Sequence, residues 1–157
     1  MNNVIIYKPA TPGYENAPTV ILQGHMDMVC EKRPDVQHDF EKDGLNLSVK
    51  DGYVTANGTT LGGDDGIAVA YALALLDSTD LPHPALEVLI TVDEEIGLLG
   101  AVGLDCSVLK GKRMINMDSE AEGSLWISCA GGLSAVSHIP VARVDAEGEK
   151  LQIKVCG

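Results

Sequence analysis

Aromatic side chains are scarce in this chain of 157 residues: one Trp, one Phe and four Tyr, or 4%. Any core must therefore be aliphatic. A hydrophobic content of 45% and a mean hydropathy of +0.10 suffice for one globular domain, and 17 glycines suit tight turns. Positive charge is scarce too. Eleven Lys and Arg stand against 23 Asp and Glu, a net charge of −12, which argues against nucleic acid or an anionic membrane surface as partner. No apolar run reaches the roughly 18 residues of a membrane helix, and the opening MNNVIIYK lacks the basic and apolar blocks of a signal peptide. The four cysteines (Cys30, Cys106, Cys129, Cys156) contain no C-x-x-C. That excludes a zinc ribbon, gives no sign of a disulfide framework, and leads us to expect reduced thiols in a soluble, cytoplasmic protein.

What the chain does have is one pattern used repeatedly. Thr19–Asp27 (TVILQGHMD) is an apolar strand followed by a glycine, an imidazole and a carboxylate. Leu86–Glu95 (LEVLITVDEE) is an apolar run ending in three acids, and Arg113–Asp118 (RMINMD) is a short run ending in one. Between them Leu61–Gly66 (LGGDDG) opens an uninterrupted apolar segment. Parallel strands that end in such groups deliver them to one sheet edge, where open α/β sheets place their ligands.

In chain order, Val4–Lys8 reads as a strand closed by the turn signals of Pro9–Gly13, and Thr19–Gln23 as a strand buried on both faces. A charged loop follows through Cys30–Asp43. Leu45–Lys50 and Tyr53–Ala56 flank Asp51-Gly52 and predict a β-hairpin. Ile67–Leu76 (IAVAYALALL) has no charged residue, which predicts a helix buried all round, with Asp64 and Asp65 in its capping region. Leu86–Val92 reads as the next buried strand, Gly97–Val102 as a short helix or turn, and Met114 as the start of another strand. Leu125–Ser128, Leu133–Val141 and Lys150–Val155 look like alternating strands, and the acids Glu120 and Glu122 belong to a solvated loop.

The chemistry of these groups suits divalent metal. Side chains at i and i+2 of an extended segment point the same way, so His25 and Asp27 can share a site. Neutral imidazole is a good zinc ligand and is often oriented by a carboxylate; Asp27 could orient rather than ligate. Asp64-Asp65 would serve equally as a helix cap, but the preceding glycines permit close approach. One carboxylate can bridge two ions about 3.5–4 Å apart, and Asp64 is the candidate. Three contiguous acids, Asp93-Glu94-Glu95, repel one another unless cations are present. One Glu can ligate while its neighbour takes a proton from the attacking water. Asp118 completes the set. His38, His83 and His138 have no such strand-end context and are read as core or surface residues.

With these residues in view, GHMDMV, LGGDDGIAVA, TVDEEIGLLGA and NMDSEAEG, in this order, resemble the motifs of the aminoacyl-histidine dipeptidases. That group lies in the co-catalytic zinc metallopeptidase family, with carnosinases and aminoacylases. The resemblance runs from about Asn3 to the end of the chain. It implies that His25 and Asp118 bind one metal, that Asp64 bridges through a cis peptide to Asp65, and that Glu95 binds the second. Glu94 would be the general base and Asp27 would orient His25. The implied cofactors are two divalent ions, zinc with manganese or cobalt as alternatives, and the implied substrate is a dipeptide of the Xaa-His type.

The implied fold is α/β: a three-layer α/β/α catalytic domain, truncated, with the beginning of an α+β lid domain at the C-terminus. Residues 1–130 would be the partial catalytic domain and 131–157 the start of the lid or dimerisation domain. The family's downstream metal-binding histidine and its lid residues are not in this sequence. The other reading is therefore a truncated, non-catalytic metal-binding or assembly fragment, self-associating through exposed strands such as Lys150–Val155. A magnesium phosphoesterase fits less well, because imidazole and paired Glu suit a softer ion.

Overall fold

The structure is a computed structural model that describes every residue except 1, 120, 134, 143, 146, 150 and 155–157. The chain divides into two units, Met1–Ala121 and Glu122–Gly157.

The first unit is built on a four-stranded sheet. Strand β1 (Val4–Lys8) leads to β2 (Val20–His25), and a hairpin of β3 (Leu47–Lys50) and β4 (Tyr53–Ala56) follows. Helix α1 (Gly63–Asp77), β5 (Leu86–Thr91), the short α2 (Leu99–Val102), a 3-10 turn at Cys106–Val108 and β6 (Arg113–Asn116) complete it. The strand order is β1-β5-β2-β6. β2 runs parallel to both β5 and β6, whereas β1 is antiparallel to β5. The register pairs His25 with Thr91, and beyond β6 the Met117 N–H donates to the Gln23 carbonyl at 3.0 Å. The C-terminal ends of β2, β5 and β6 thus finish side by side. All six residues of β5 are buried, as its continuous apolar run requires of a strand covered on both faces.

The hairpin forms as its turn chemistry dictates. Asp51 and Gly52 both take positive φ (53° and 83°), the two-residue turn that matches strand twist, and the Ser48 and Thr55 hydroxyls meet across the strands at 2.9 Å.

Helix α1 corrects the sequence reading in two respects. Only its alanine face is buried, through Ala68 and Ala72, while Ile67, Tyr71 and Leu73 are 54%, 59% and 51% exposed. An apolar-all-round sequence leads one to expect cover on every side; among the described residues only the sheet supplies it. Leu22, Ala72, Val88 and Ile90 form the core there, with Ile6, Val20, Val69, Leu75, Leu76 and Met117 packed around them. Nor do Asp64 and Asp65 cap the helix. Gly62 stands at the cap position with no side-chain bond, and both aspartates have non-helical backbone angles. Their carboxylates are used elsewhere.

Two contacts fix α1 on the sheet. A Cβ at Gly24 would lie 2.5 Å from the Asp65 Oδ2 and 2.6 Å from the Ala68 Cβ, so only glycine lets the start of the helix approach the end of β2. At the other end the Lys8 ammonium donates to the carbonyls of Leu75 and Ser78 at 2.7 and 2.6 Å. It supplies the cation that the last turn of the helix lacks.

The described residues of the second unit form no helix or strand and are exposed. The expected strands Leu125–Ser128 and Leu133–Val141 are absent among the described residues, as is one over 151–154; Ser134, Lys150 and Val155 lie outside them. Alternation alone makes no strand without a partner to satisfy its backbone groups. Cys30, Cys106 and Cys129 are free and exposed, while Cys156 and Glu120 lie outside the described residues. No described helix is long and apolar enough to cross a membrane.

Candidate metal centre

His25, the last residue of β2, is 1% exposed and sits at the centre of an acidic cluster. Its Nε2 lies 3.1 Å from the Asp64 Oδ1, and its Nδ1 lies 3.4 Å from the Asp27 Oδ1. Its backbone N–H donates to the Asp65 Oδ2 at 3.2 Å. The Asp64–Asp65 peptide is cis.

Two groups of donor atoms converge on the imidazole. His25, Asp64 and Glu95 each offer an atom within 4.8 Å of the others, and so do His25, Asp65 and Asp118. Each residue arrives on a different element: His25 on β2, the aspartate pair at the start of α1, Glu95 on the loop after β5, Asp118 just beyond β6. Asp27 ties two of these together, because its Oδ2 accepts the Glu95 backbone N–H at 3.1 Å. Five of the residues singled out from the sequence, His25, Asp27, Asp64, Glu95 and Asp118, are thus brought to one place, and the sixth, Glu94, adjoins Glu95 on the same loop. Beside them, Gly63, Asp64, Asp65, Ile67, Met117 and Ser119 line a cavity of about 170 Å³.

The electrostatics are those of acids crowded without counter-charge. Burial pushes the Glu94 carboxyl above its usual pKa, with Asp118 adding repulsion. Asp65 is raised by burial and by Asp118, and Asp118 by burial and by Asp64. Burial opposes the charge on His25, yet Asp64, Asp118, Asp27 and Asp65 together outweigh it and raise the imidazole. Asp27 alone among these acids is lowered: burial would raise it, but the N–H groups of Glu94 and Glu95 and its own hold it as a carboxylate.

This arrangement fits a divalent cation. The donors are one imidazole nitrogen and several carboxylate oxygens, the chemistry expected of zinc and its neighbours. The buried His25 Nδ1 and Asp27 Oδ1 face each other at 3.4 Å, and neither has a hydrogen-bond partner among the described residues; a carboxylate facing Nδ1 favours the tautomer that frees Nε2 for a metal.

Residues 21–127 match the model of Peptidase family M20/M25/M40, well over half of the chain. The chain belongs to this family. Members of this family are metal-dependent peptidases. The chain is 46% identical over 143 residues to the "Cytosol non-specific dipeptidase" of Escherichia coli K12, covering 91% of this chain and 30% of that protein. Among solved structures it is similar to the aminoacylhistidine dipeptidase from Vibrio alginolyticus, with TM-score 0.75 and 51% identity over 77% of this chain and 25% of that one. A tripeptidase from Staphylococcus aureus gives TM-score 0.60 and 29% identity over 76% of this chain and 30% of that one. The chain thus spans about a third or less of the length of each relative.

The sequence pattern singles out Asp64 and not Asp65, whose carboxylate the fold also brings to His25. It also passes over Glu87, a charged residue 2% exposed within the apolar run of β5. Its carboxylate accepts the backbone N–H of Lys110 at 2.9 and 3.0 Å and that of Gly111 at 2.9 Å. That acid inside an otherwise aliphatic strand was the available signal.

Proposed function

We propose that this chain carries the metal-binding half of a peptidase active site that hydrolyses dipeptides, the Xaa-His type among them. The observation that carries the reading is the convergence of two donor groups on His25 with Glu94 alongside. His25, Asp64, Glu95 and Asp118 would hold two divalent ions, zinc or alternatively manganese or cobalt. When bound, such ions polarise a peptide carbonyl and acidify water.

The remaining chemistry belongs to the chain. Glu94 takes the proton from the attacking water on its carboxylate and delivers it to the leaving amine. Its raised pKa suits that exchange, because a base works best when its pKa approaches the working pH. Asp27 stays ionised and orients the imidazole through Nδ1. The cavity beside Asp64, walled by Ile67 and Met117, would take a substrate side chain. Residues 1–130 would form part of the catalytic domain and 131–157 the start of a lid.

A second reading is binding without turnover. It is favoured because both donor groups use the same His25, which leaves a second ion with carboxylates alone among the described residues. Zinc titration of this chain, run beside a dipeptidase assay with and without chelator, separates the two. Chelator-sensitive hydrolysis that Glu94→Gln abolishes supports the catalytic reading. Zinc uptake without hydrolysis supports the second, and absence of zinc uptake rejects both.

A further inference from the structure

The loop that carries Glu94 and Glu95 is closed at its base by a residue 89 positions earlier in the chain. Asn3, just ahead of β1, reaches across and uses both ends of its carboxamide. Its Nδ2 donates to the Gly100 carbonyl at 2.8 Å, and its Oδ1 accepts the Val92 N–H at 3.1 Å. Val92 follows β5 and Gly100 lies in α2, so the one side chain bridges the two stems of the loop.

Within the loop the backbone folds on itself. Gly97 and Leu98 donate to the Glu94 carbonyl at 3.0 and 2.9 Å, Leu99 to that of Asp93 at 3.0 Å, and Gly100 to that of Val92 at 3.1 Å. Gly100 is buried, and a Cβ there would run into the Val92 carbonyl and lie 2.6 Å from the Asn3 Oδ1. Asp93 and Leu98 both hold positive φ (55° and 60°), a conformation that non-glycine residues keep only where their surroundings over-determine it. Asp27 then holds the loop from the metal side through the Glu95 N–H.

The geometry points to Asn3 as a positioning residue: its two hydrogen bonds close the Val92–Gly100 loop and so set where Glu94 and Glu95 stand relative to His25. This rests on the reading of Glu95 as a metal donor and Glu94 as the proton acceptor. The clamp itself is a property of the fold that can be measured without metal.

The test has two arms, on wild type, Asn3→Ala, and Asn3→Asp, which keeps the acceptor for Val92 and loses the donor to Gly100. Gly100→Ala opens the same clamp from the other side. Amide hydrogen exchange in the presence of chelator reads the loop, and competition against a chromogenic chelator reads zinc affinity. Removing the clamp should speed exchange over residues 92–100 about tenfold, and leave β2 unchanged. It should also weaken zinc binding about tenfold, the scale on which supporting groups act on metal sites. Asn3→Asp sets a carboxylate oxygen against the Gly100 carbonyl and should disturb the loop at least as much as Asn3→Ala.

Unchanged exchange over 92–100 overturns the proposal. So does exchange that rises equally in the loop and in β2, which marks general destabilisation, or faster loop exchange at unaltered zinc affinity. If wild type itself takes up no zinc, the reading of the site fails, and the role of Asn3 toward the metal fails with it. The exchange arm then still shows separately whether the clamp exists.

Discussion

Asp27 and Glu95 are 68 positions apart in the chain, yet the Asp27 carboxylate accepts the Glu95 backbone N–H at 3.1 Å while its other oxygen faces the His25 ring at 3.4 Å. One side chain therefore ties the β2 side of the site to the loop after β5. It can do so because β2 and β5 are parallel neighbours in register, so their ends stop at the same height. An effect at Asp27 should be felt by both metal donors at once.

Replacing Asp27 should accordingly cost zinc affinity rather than fold. We expect Asp27→Ala to weaken binding by about 10- to 100-fold, with Asp27→Asn milder because its amide oxygen can still accept the Glu95 N–H. Chelator competition measures the affinity, and far-ultraviolet circular dichroism should show the same secondary structure.

Gly24→Ala tests the approach of α1 to the sheet. The new methyl would fall on the Asp65 carboxylate and the Ala68 Cβ, an overpacking expected to cost about 1–3 kcal/mol. A lower urea midpoint at unchanged slope is the expected outcome.

Glu87 offers a second stability test, remote from the metal. Glu87→Ala strands the N–H groups of Lys110 and Gly111 that its buried carboxylate satisfies. The loss should be about 1–3 kcal/mol, the scale of hydrogen bonds to a charged group, because Lys110 is exposed and Gly111 half-buried and water can reach the freed donors. Urea unfolding reads it directly, and zinc affinity of the folded fraction should change far less than for Asp27→Ala.

The pH dependence follows from the crowded acids. Glu94, Asp65 and Asp118 have folded-state pKa values raised first by burial. Such groups bind protons more tightly folded than unfolded, so they lower stability above the folded pKa and stop doing so as pH falls through it. His25 is also raised; its contribution is fully present below its unfolded pKa and is lost as pH rises through the folded one. Both act in one direction. The chelator-treated chain should gain stability as pH falls from neutral toward the carboxylate range, before lowered carboxylates such as Asp27 begin to titrate. Saturating zinc should reverse that trend. Urea midpoints across the window, with and without zinc, measure it.

The sheet and the site were legible to different depths. Continuous apolar runs identified β2 and β5, and Asp51-Gly52 identified the hairpin, because each signal is local and decided by short-range physics. The meeting of His25 with Asp64, Glu95 and Asp118 was legible as strand ends in a parallel sheet, which convert sequence spacing into one edge. The half-exposed α1 was not legible: its sequence states what each residue prefers, whereas cover depends on which elements are there to provide it. Alternation in the second unit misled for the same reason. Asn3 gave no signal at all, because a two-point amide clamp depends on backbone groups at Val92 and Gly100 whose positions only the fold defines.

Four separate elements meet at one imidazole, and calorimetric zinc titration of the chain and of His25→Ala measures whether they hold a divalent ion there. Wild type should bind zinc saturably, and His25→Ala should lose that binding at unchanged circular dichroism. Equal zinc affinity in the two proteins would rule the site out.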